Sequence, residues 1–409
     1  MYSKRIKSHH GAMAETDNLV KRHIYLHDYL NDQNLEGKKS VIYIHVPFCL
    51  KTCTFCSMNR SQVAPPEDYH RLILKEIQMY SKFSYIEKST FDAVYFGGGT
   101  PTTLRSDALR EIIVAVKDNF NLTPDAEITI ETSVTELSDD KIELFKQTGV
   151  NRFSIGVQTF SDMGRKIFNR RGSGEWVKER LQFLKRMNFA SVNIDIIYSY
   201  PGQSLEELRK DLRTIYELDL DGFSMYSLMN MPASKIKKEV SEETDLKNFM
   251  CILKMSRDNG YDFLELTKMV KRDKYKYIVN RNNGEDTLPL GAGAGGNFGN
   301  ALIMNPVAIQ AYEESVKNFN SRKVVEMHPI YKEFVILKGA IQHGKIPLKN
   351  ALLQKNDKIK HFMQYLTSSG LAVFSGDSLI LTDRGFYWGN NISRRISEIV
   401  LESITVNVR

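Results

Sequence analysis

From Val41 onward the apolar positions fall into two alternating patterns. Short β-rich runs occupy Val41–Val46, Ala93–Phe96, Glu127–Glu131, Arg152–Val157, Ser191–Tyr198 and Gly222–Leu228. Between them, apolar residues recur every three or four positions over Tyr69–Phe83, Ser106–Asn119, Ser138–Thr148, Glu175–Met187 and Leu205–Leu218. Gly and Pro mark many of the junctions. Strands separated by single helices predict βαβ units on a parallel sheet. Six such units predict an α/β fold, a partial (β/α)6 barrel over residues 41–325. In such folds the functional groups gather at the C-terminal ends of the strands.

The flanks follow other patterns. Residues 1–40 are polar and charged, with a weak helical period over Asn18–Leu30, and read as an N-terminal extension. Past Glu326, helical patterns at Tyr331–Gly339 and Asp357–Ser369 precede two short β runs, Leu371–Phe374 and Leu379–Leu381, around the turn Ser375-Gly376-Asp377. Helices followed by a hairpin predict a C-terminal winged-helix-like domain over 326–409.

Composition narrows the class. The 409 residues are 42% hydrophobic, enough for a substantial core, and the net charge of +7 is mild for this length. It suits an acidic partner or an anionic substrate and lacks the dense basic stripe of a nucleic-acid binder, so no nucleic acid is expected. The N-terminal stretch has no apolar core of signal-peptide length, and no run approaches 18 apolar residues. A cytoplasmic protein without a membrane span is expected.

Of the four cysteines, three are clustered as Cys49-x3-Cys53-x2-Cys56, directly after the first predicted strand. A disulfide framework spreads and pairs its cysteines. Three thiolates on one loop can instead hold three corners of an iron–sulfur cubane and leave the fourth iron open. The competing reading is structural zinc, which usually needs four protein ligands. Cys251 is remote from the loop, in a helical context, and reads as a buried small hydrophobe. Glu131, Gln158 and Asp195 end predicted inner strands, where polar side chains converge on a ligand. Gly97–Gly99 allow a backbone to come close without a Cβ clash, although a plain strand–helix turn reads the same way. Arg170 offers a bidentate fork for a carboxylate, or a surface ion pair. Phe55 can pack on an adenine or a sulfonium.

These motifs, in order, resemble one family. Tyr43-Ile44-His45-Val46-Pro47-Phe48-Cys49 with the two further cysteines is similar to the entry motif of the coproporphyrinogen-dehydrogenase superfamily of radical S-adenosylmethionine (SAM) proteins. Phe96-Gly97-Gly98-Gly99-Thr100-Pro101-Thr102 resembles its SAM loop. Glu127–Glu131, Gly156–Phe160, and Asn193–Tyr198 with Pro201-Gly202 resemble its next strand ends. The resemblance implies a [4Fe–4S] cluster on Cys49, Cys53 and Cys56, with SAM chelated at the open iron and split by one electron to a 5′-deoxyadenosyl radical. It also implies that Tyr43, Gly98 and Glu131 line this SAM. A second SAM would be lined by Phe55, Gly99, Thr100, Gln158, Arg170 and Asp195. A flavodoxin or ferredoxin would supply the electron.

Three branches of the superfamily compete. The oxygen-independent coproporphyrinogen III oxidases carry a fourth Cys two residues after the third, where this chain has Met58. The heme chaperones carry a His-Asn…Tyr-Trp motif, and residues 268–296 contain neither His nor Trp. The anaerobic heme-degrading radical SAM methyltransferases fit this region better, through Arg272-Asp273-Lys274, Tyr277 and the run Leu290–Gly296. Ser57-Met58 departs from the Gly and aromatic of that branch. The resemblance thus implies methylation and opening of the heme ring without oxygen, with release of iron. Lys268, Lys271, Arg272, Lys274, Lys276 and Arg281 could meet the heme propionates, or form a solvated loop. The run Gly291–Gly299 could admit a flat macrocycle or be a tight passage. His45 reads as structural, and His9, His10, His23 and His27 as a weak candidate heme or metal set.

Overall fold

Alternation of side chains along each strand sets the architecture. A computed structural model describes residues 2–7, 19–32, 36–56, 64–229, 234–236, 240–354 and 356–407. The strands are β1 (Val20–Tyr25), β2 (Lys39–Val46), β3 (Thr90–Gly98), β4 (Leu122–Ser133), β5 (Arg152–Gln158), β6 (Ser191–Tyr198), β7 (Gly222–Ser227), β8 (Asp262–Glu265), β9 (Lys268–Val270), β10 (Asp286–Leu290), β11 (Gly295–Phe298), β12 (Ala301–Met304) and β13 (Lys323–Met327). β2 to β7 lie side by side in sequence order, all parallel, as the alternating pattern predicts. On β2, Ile42, Ile44 and Val46 pack outward with Ile73 and Ile77 of the helix Tyr69–Tyr80. Val41 and Tyr43 face the bore, against Ala93, Tyr95 and Tyr277. On β6, Ile194 and Ile196 face the helix Leu205–Glu217, which a Ser204/Glu207 capping box starts. Each such buried aliphatic side chain contributes roughly 1.5–3 kcal/mol.

The barrel does not close. β9 and β8 extend the sheet antiparallel beyond β7. On the other flank β10 runs parallel to β2, followed by antiparallel β11, β12, β13 and finally β1. The region around Asn18–Leu30 therefore differs from its helical period. Val20–Tyr25 is an edge strand, because it finds β13 as a partner and Arg22 Nε donates to Glu326 at 2.5 Å. Only Leu26–Leu30 is helical. The first residues also enter the interior. Arg5, 8% exposed, donates to the Tyr198 hydroxyl at 2.7 Å, to Asp245 at 3.0 Å and to the Tyr387 carbonyl at 2.8 Å.

The C-terminal part runs helix (Ile330–Gln342), β14 (Lys345–Pro347), helices (Ala351–Gln354, Asp357–Ser368), β15 (Ala372–Ser375) and β16 (Ser378–Leu381). That order, with a three-stranded sheet β14-β16-β15, is a winged-helix arrangement. Two further helices, Asp383–Tyr387 and Gly389–Asn407, pass beyond the predicted hairpin. Among the described residues, no helix is long and apolar enough to cross a membrane.

The N-terminal ends of the barrel strands are plugged by residues 271–282. Arg152, at the start of β5, holds Asp273 through Nε and Nη2, both at 2.9 Å, and lies 3.8 Å from the Tyr275 ring centre. Tyr275 adopts φ 39°, a strained value for a side-chain-bearing residue. Tyr277 rises from the plug and stacks on Tyr95, with ring centres 4.7 Å apart.

Candidate active site

At the opposite end the chain leaves β2 and turns into the cysteine loop. The loop is pinned from the far side of the barrel mouth. Thr54 Oγ1 donates to the Ile167 carbonyl at 2.7 Å, Asn169 Nδ2 donates to Thr52 O at 2.9 Å, and Phe55 packs edge-on against Phe168. The glycine loop at the end of β3 is tied to the same turn. Gly99 N donates to Val46 O at 2.8 Å and Thr100 N to Phe48 O at 2.7 Å. A Cβ at Gly99 would stand 2.5 Å from the Phe48 carbonyl oxygen, and one at Gly98, where φ is +111°, would stand 2.7 Å from the His45 ring. Here the protein's own backbone and His45 require these glycines. Thr100 Oγ1 lies 3.4 Å from Cys49 Sγ.

Cys49, Cys53 and Cys56 share a cavity of ≈ 330 Å³ with Phe55, Gly98, Gly99, Thr100, Glu131, Gln158, Arg170 and Asp195. The three sulfurs come from one loop and the remaining groups from β3 to β6 and the segment after β5. Gln158 ends β5 with φ 73°, at a register irregularity, so its amide turns into the cavity. Its Oε1 is buried with no hydrogen-bond partner in the protein, an acceptor suited to a ligand. Arg170 Nη1 donates to Cys53 Sγ at 3.3 Å and Nη2 donates to the Gly156 carbonyl. Its alternative reading as a surface ion pair does not hold. Arg165, 3% exposed, positions this loop by donating to the carbonyls of Val157, Thr159, Arg171 and Gly172.

The two carboxyl groups are electrostatically unusual. Burial, with Asp195 nearby, pushes Glu131 up to about 8. Burial also raises Asp195, against Lys268 and the Ser224 hydroxyl. Folded Glu131 therefore keeps a proton that the unfolded chain loses near 4.5. Its stabilising contribution is complete below that value and is lost as pH rises through about 8. Glu131→Gln is expected to flatten the decline. The ligand-free variant should exceed the wild type on the order of 1–2 kcal/mol at high pH, after allowance for solvent in the cavity. Parallel denaturation curves at low and high pH with no difference between the two proteins would contradict this.

Tyr43 stands beside Glu131, with its hydroxyl 2.8 Å from His45 Nδ1 and its ring stacked with Tyr95 and Tyr277. His45 is structural as read, and burial lowers it to about 4. Several expectations change. Lys271, Arg272 and Lys276 of the basic stretch meet the acids at the starts of the strands, whereas Lys268 is buried near Asp195. Lys268 pairs with Asp273, Lys271 with Asp219, Arg272 with Asp219 and Asp221, and Lys276 with Asp92 and Asp125. Gly291–Gly299 is a tight passage: a Cβ at Gly291 would lie 2.3 Å from His45 O, and Ala292 and Ala294 are fully buried. Cys251 is half-buried, since Ile252 and Leu253 take the core positions of its helix, and its sulfur lies 3.9 Å from Met255 Sδ. Cys251→Ser should therefore cost less than ~1 kcal/mol in denaturation and leave cluster content unchanged. His9, His10, Ser57 and Met58 lie outside the described residues. His23 and His27 lie on β1 and the one-turn helix, at the far edge of the sheet.

Sequence reasoning missed Tyr226, Ser227 and Leu228, which end β7 and line the same cavity. Their β run was legible, but nothing in it distinguishes an inward tyrosine from a packed one. Among the described residues, no three His, Cys, Asp or Glu side chains are gathered closely enough to hold a metal ion, the three cysteines of the loop included.

A model of the radical SAM superfamily matches residues 43–215. The anaerobilin synthase of Escherichia coli O157:H7 is 28% identical over 386 residues, covering 90% of this chain and 86% of that protein. The heme chaperone HemW of Lactococcus lactis subsp. lactis (strain IL1403) is 26% identical over 378 residues, covering 87% and 96%. The solved structure of coproporphyrinogen III oxidase (HemN) from Escherichia coli, a radical SAM enzyme, superposes with a TM-score of 0.77 at 22% identity, over 91% of this chain and 92% of that one. This last similarity establishes the fold.

Proposed function

We propose that the protein, whose residues 43–215 match the radical SAM superfamily, belongs to the coproporphyrinogen-dehydrogenase-like branch and is a methyltransferase that opens the heme ring without oxygen, releasing iron and a methylated linear tetrapyrrole. The family implies a [4Fe–4S] cluster and SAM. The observation that carries the finer reading is the alignment with anaerobilin synthase across 90% of the chain, which takes in the C-terminal part as well as the barrel.

The residues present suit these groups. Three thiols on one loop are the soft donors a cluster takes, and Gly98, Gly99 and Glu131 line the same cavity. When bound, the cluster with SAM would supply radical chemistry. Cys49, Cys53 and Cys56 would hold the cluster. Gly98 and Glu131 would line its SAM, and an ammonium group there would draw the proton from Glu131. Phe55, Gly99, Thr100, Gln158, Arg170 and Asp195 would line a second SAM as methyl source, with Gln158 Oε1 free to accept and Arg170 suited to a carboxylate. Tyr43 would support this site through His45. The electron comes from an acidic low-potential donor of the flavodoxin or ferredoxin class, which the mild positive charge suits.

The test is anaerobic turnover of the reconstituted protein with heme, SAM and a flavodoxin reducing system. Loss of the Soret band, a methylated linear tetrapyrrole and 5′-deoxyadenosine are expected together. Heme that binds yet survives while the cluster is sound would transfer the assignment to a heme chaperone, the reading favoured by the 96% coverage of the HemW chain.

A further inference from the structure

Within the basic stretch Arg281 stands apart. Lys268, Lys271, Arg272 and Lys276 each have a carboxylate. Neither Arg281 nor the exposed Lys274 has one among the described residues, and Arg281 differs from Lys274 in being ringed by tyrosines. Its Nη1 donates to the Tyr277 hydroxyl at 3.3 Å, and its other electrostatic neighbours are Tyr43 and Tyr275. It is four residues after Tyr277, on the helix face that enters the bore. It is exposed although tyrosines surround it, and Tyr226, an inward position of β7, is 39% exposed. Both side chains are open to a ligand, and Tyr226 also lines the cavity at the cysteines.

The open side of the barrel is bridged by the helix Ile330–Gln342. Tyr331, near its start, faces Arg281. Its end abuts the β8–β9 turn, where Leu266 N donates to Gln342 O at 2.8 Å and His343 Nδ1 lies 2.8 Å from Leu264 O. Tyr331, Val335, Lys338 and Gln342 share one face of this helix, all half-buried. Lys338 also has no carboxylate partner among the described residues, and burial alone lowers it. Glu265, at this end of the helix, has Lys268, His343 and Asn282 as its neighbours, and burial raises it.

Arg281, exposed, and Lys338, half-buried, are thus cations without a carboxylate partner among the described residues, and both neighbour aromatic side chains. We infer that Arg281 and Lys338 bind the two carboxylates of a flat aromatic macrocycle that enters through the open side of the barrel, its ring lying along Tyr43 and Tyr226 toward the cysteine loop. This rests on the heme reading above and adds to it where the acid side chains are held.

The test is a binding titration that needs no turnover. The anaerobically reconstituted protein is titrated with iron protoporphyrin and with its dimethyl ester, and the Soret shift is followed. The wild type should bind the free diacid roughly ten-fold or more tightly than the ester. Arg281→Gln and Lys338→Gln should each weaken diacid binding by about ten-fold, leave ester binding unchanged, and together erase the preference. Arg281→Lys, which keeps the charge, should recover part of the loss and guards against a folding artefact. Equal binding of diacid and ester by the wild type overturns the inference and spares the heme reading. So do Gln variants with unaltered diacid affinity. A wild type that binds neither porphyrin overturns both.

Discussion

Cys53→Ala is expected to leave a folded protein that no longer shows the broad visible absorbance of a reconstituted iron–sulfur cluster, and whose SAM cleavage falls to background. Cys53 is the middle of the three thiols, and the Arg170 guanidinium donates to it at 3.3 Å. Its loss leaves two sulfur donors on the loop. The loop should survive the change, because Thr54, Asn169 and Ser234 hold it through backbone carbonyls and not through sulfur. Iron content, visible absorbance and 5′-deoxyadenosine release are the readouts. A variant that retains full iron and cleaves SAM would remove Cys53 from the cluster.

Glu76→Ala should be the most destabilising single change away from the site, by about 3–5 kcal/mol. Glu76 is fully buried on the helix Tyr69–Tyr80. One carboxylate oxygen accepts from Arg322 Nη1 at 2.5 Å and from Asn305 Nδ2 at 2.9 Å. The other accepts from Gly291 N at 2.8 Å and from the Tyr312 hydroxyl at 2.6 Å. Removing it strands a buried guanidinium and three further donors at once. The double variant Glu76→Leu/Arg322→Met should lose less than the two single changes combined, since neither charge is then left alone. Denaturant midpoints of the four proteins decide this. A Glu76→Ala midpoint within ~1 kcal/mol of wild type would show that the network contributes little.

The barrel was legible because its signals are local. Ser191–Tyr198 and Ser106–Asn119 have in the structure the bounds their periodicity predicts, since alternation and a 3.6-residue repeat report which face is buried whatever the partner is. The cysteine spacing and the glycine run were equally legible, as close backbone approaches leave residue types that little else demands. That β1 is a strand was not legible. Val20–Tyr25 is mostly exposed, and its conformation comes from β13, some three hundred residues later.

By itself, then, the sequence determined the strand–helix alternation, the three-thiol loop and the strand-end groups that accompany it. Only the tertiary structure decided which face of the molecule each charge serves. Arg272 and Lys276 read as propionate partners until the fold set them against Asp219, Asp221, Asp92 and Asp125 at the starts of the strands. Arg281 and Lys338, 57 positions apart in the sequence, both remain without an acid among the described residues. The physical reason is that a charge is defined by its neighbours. Coulomb attraction and desolvation act through space, and separation along the chain does not encode that distance.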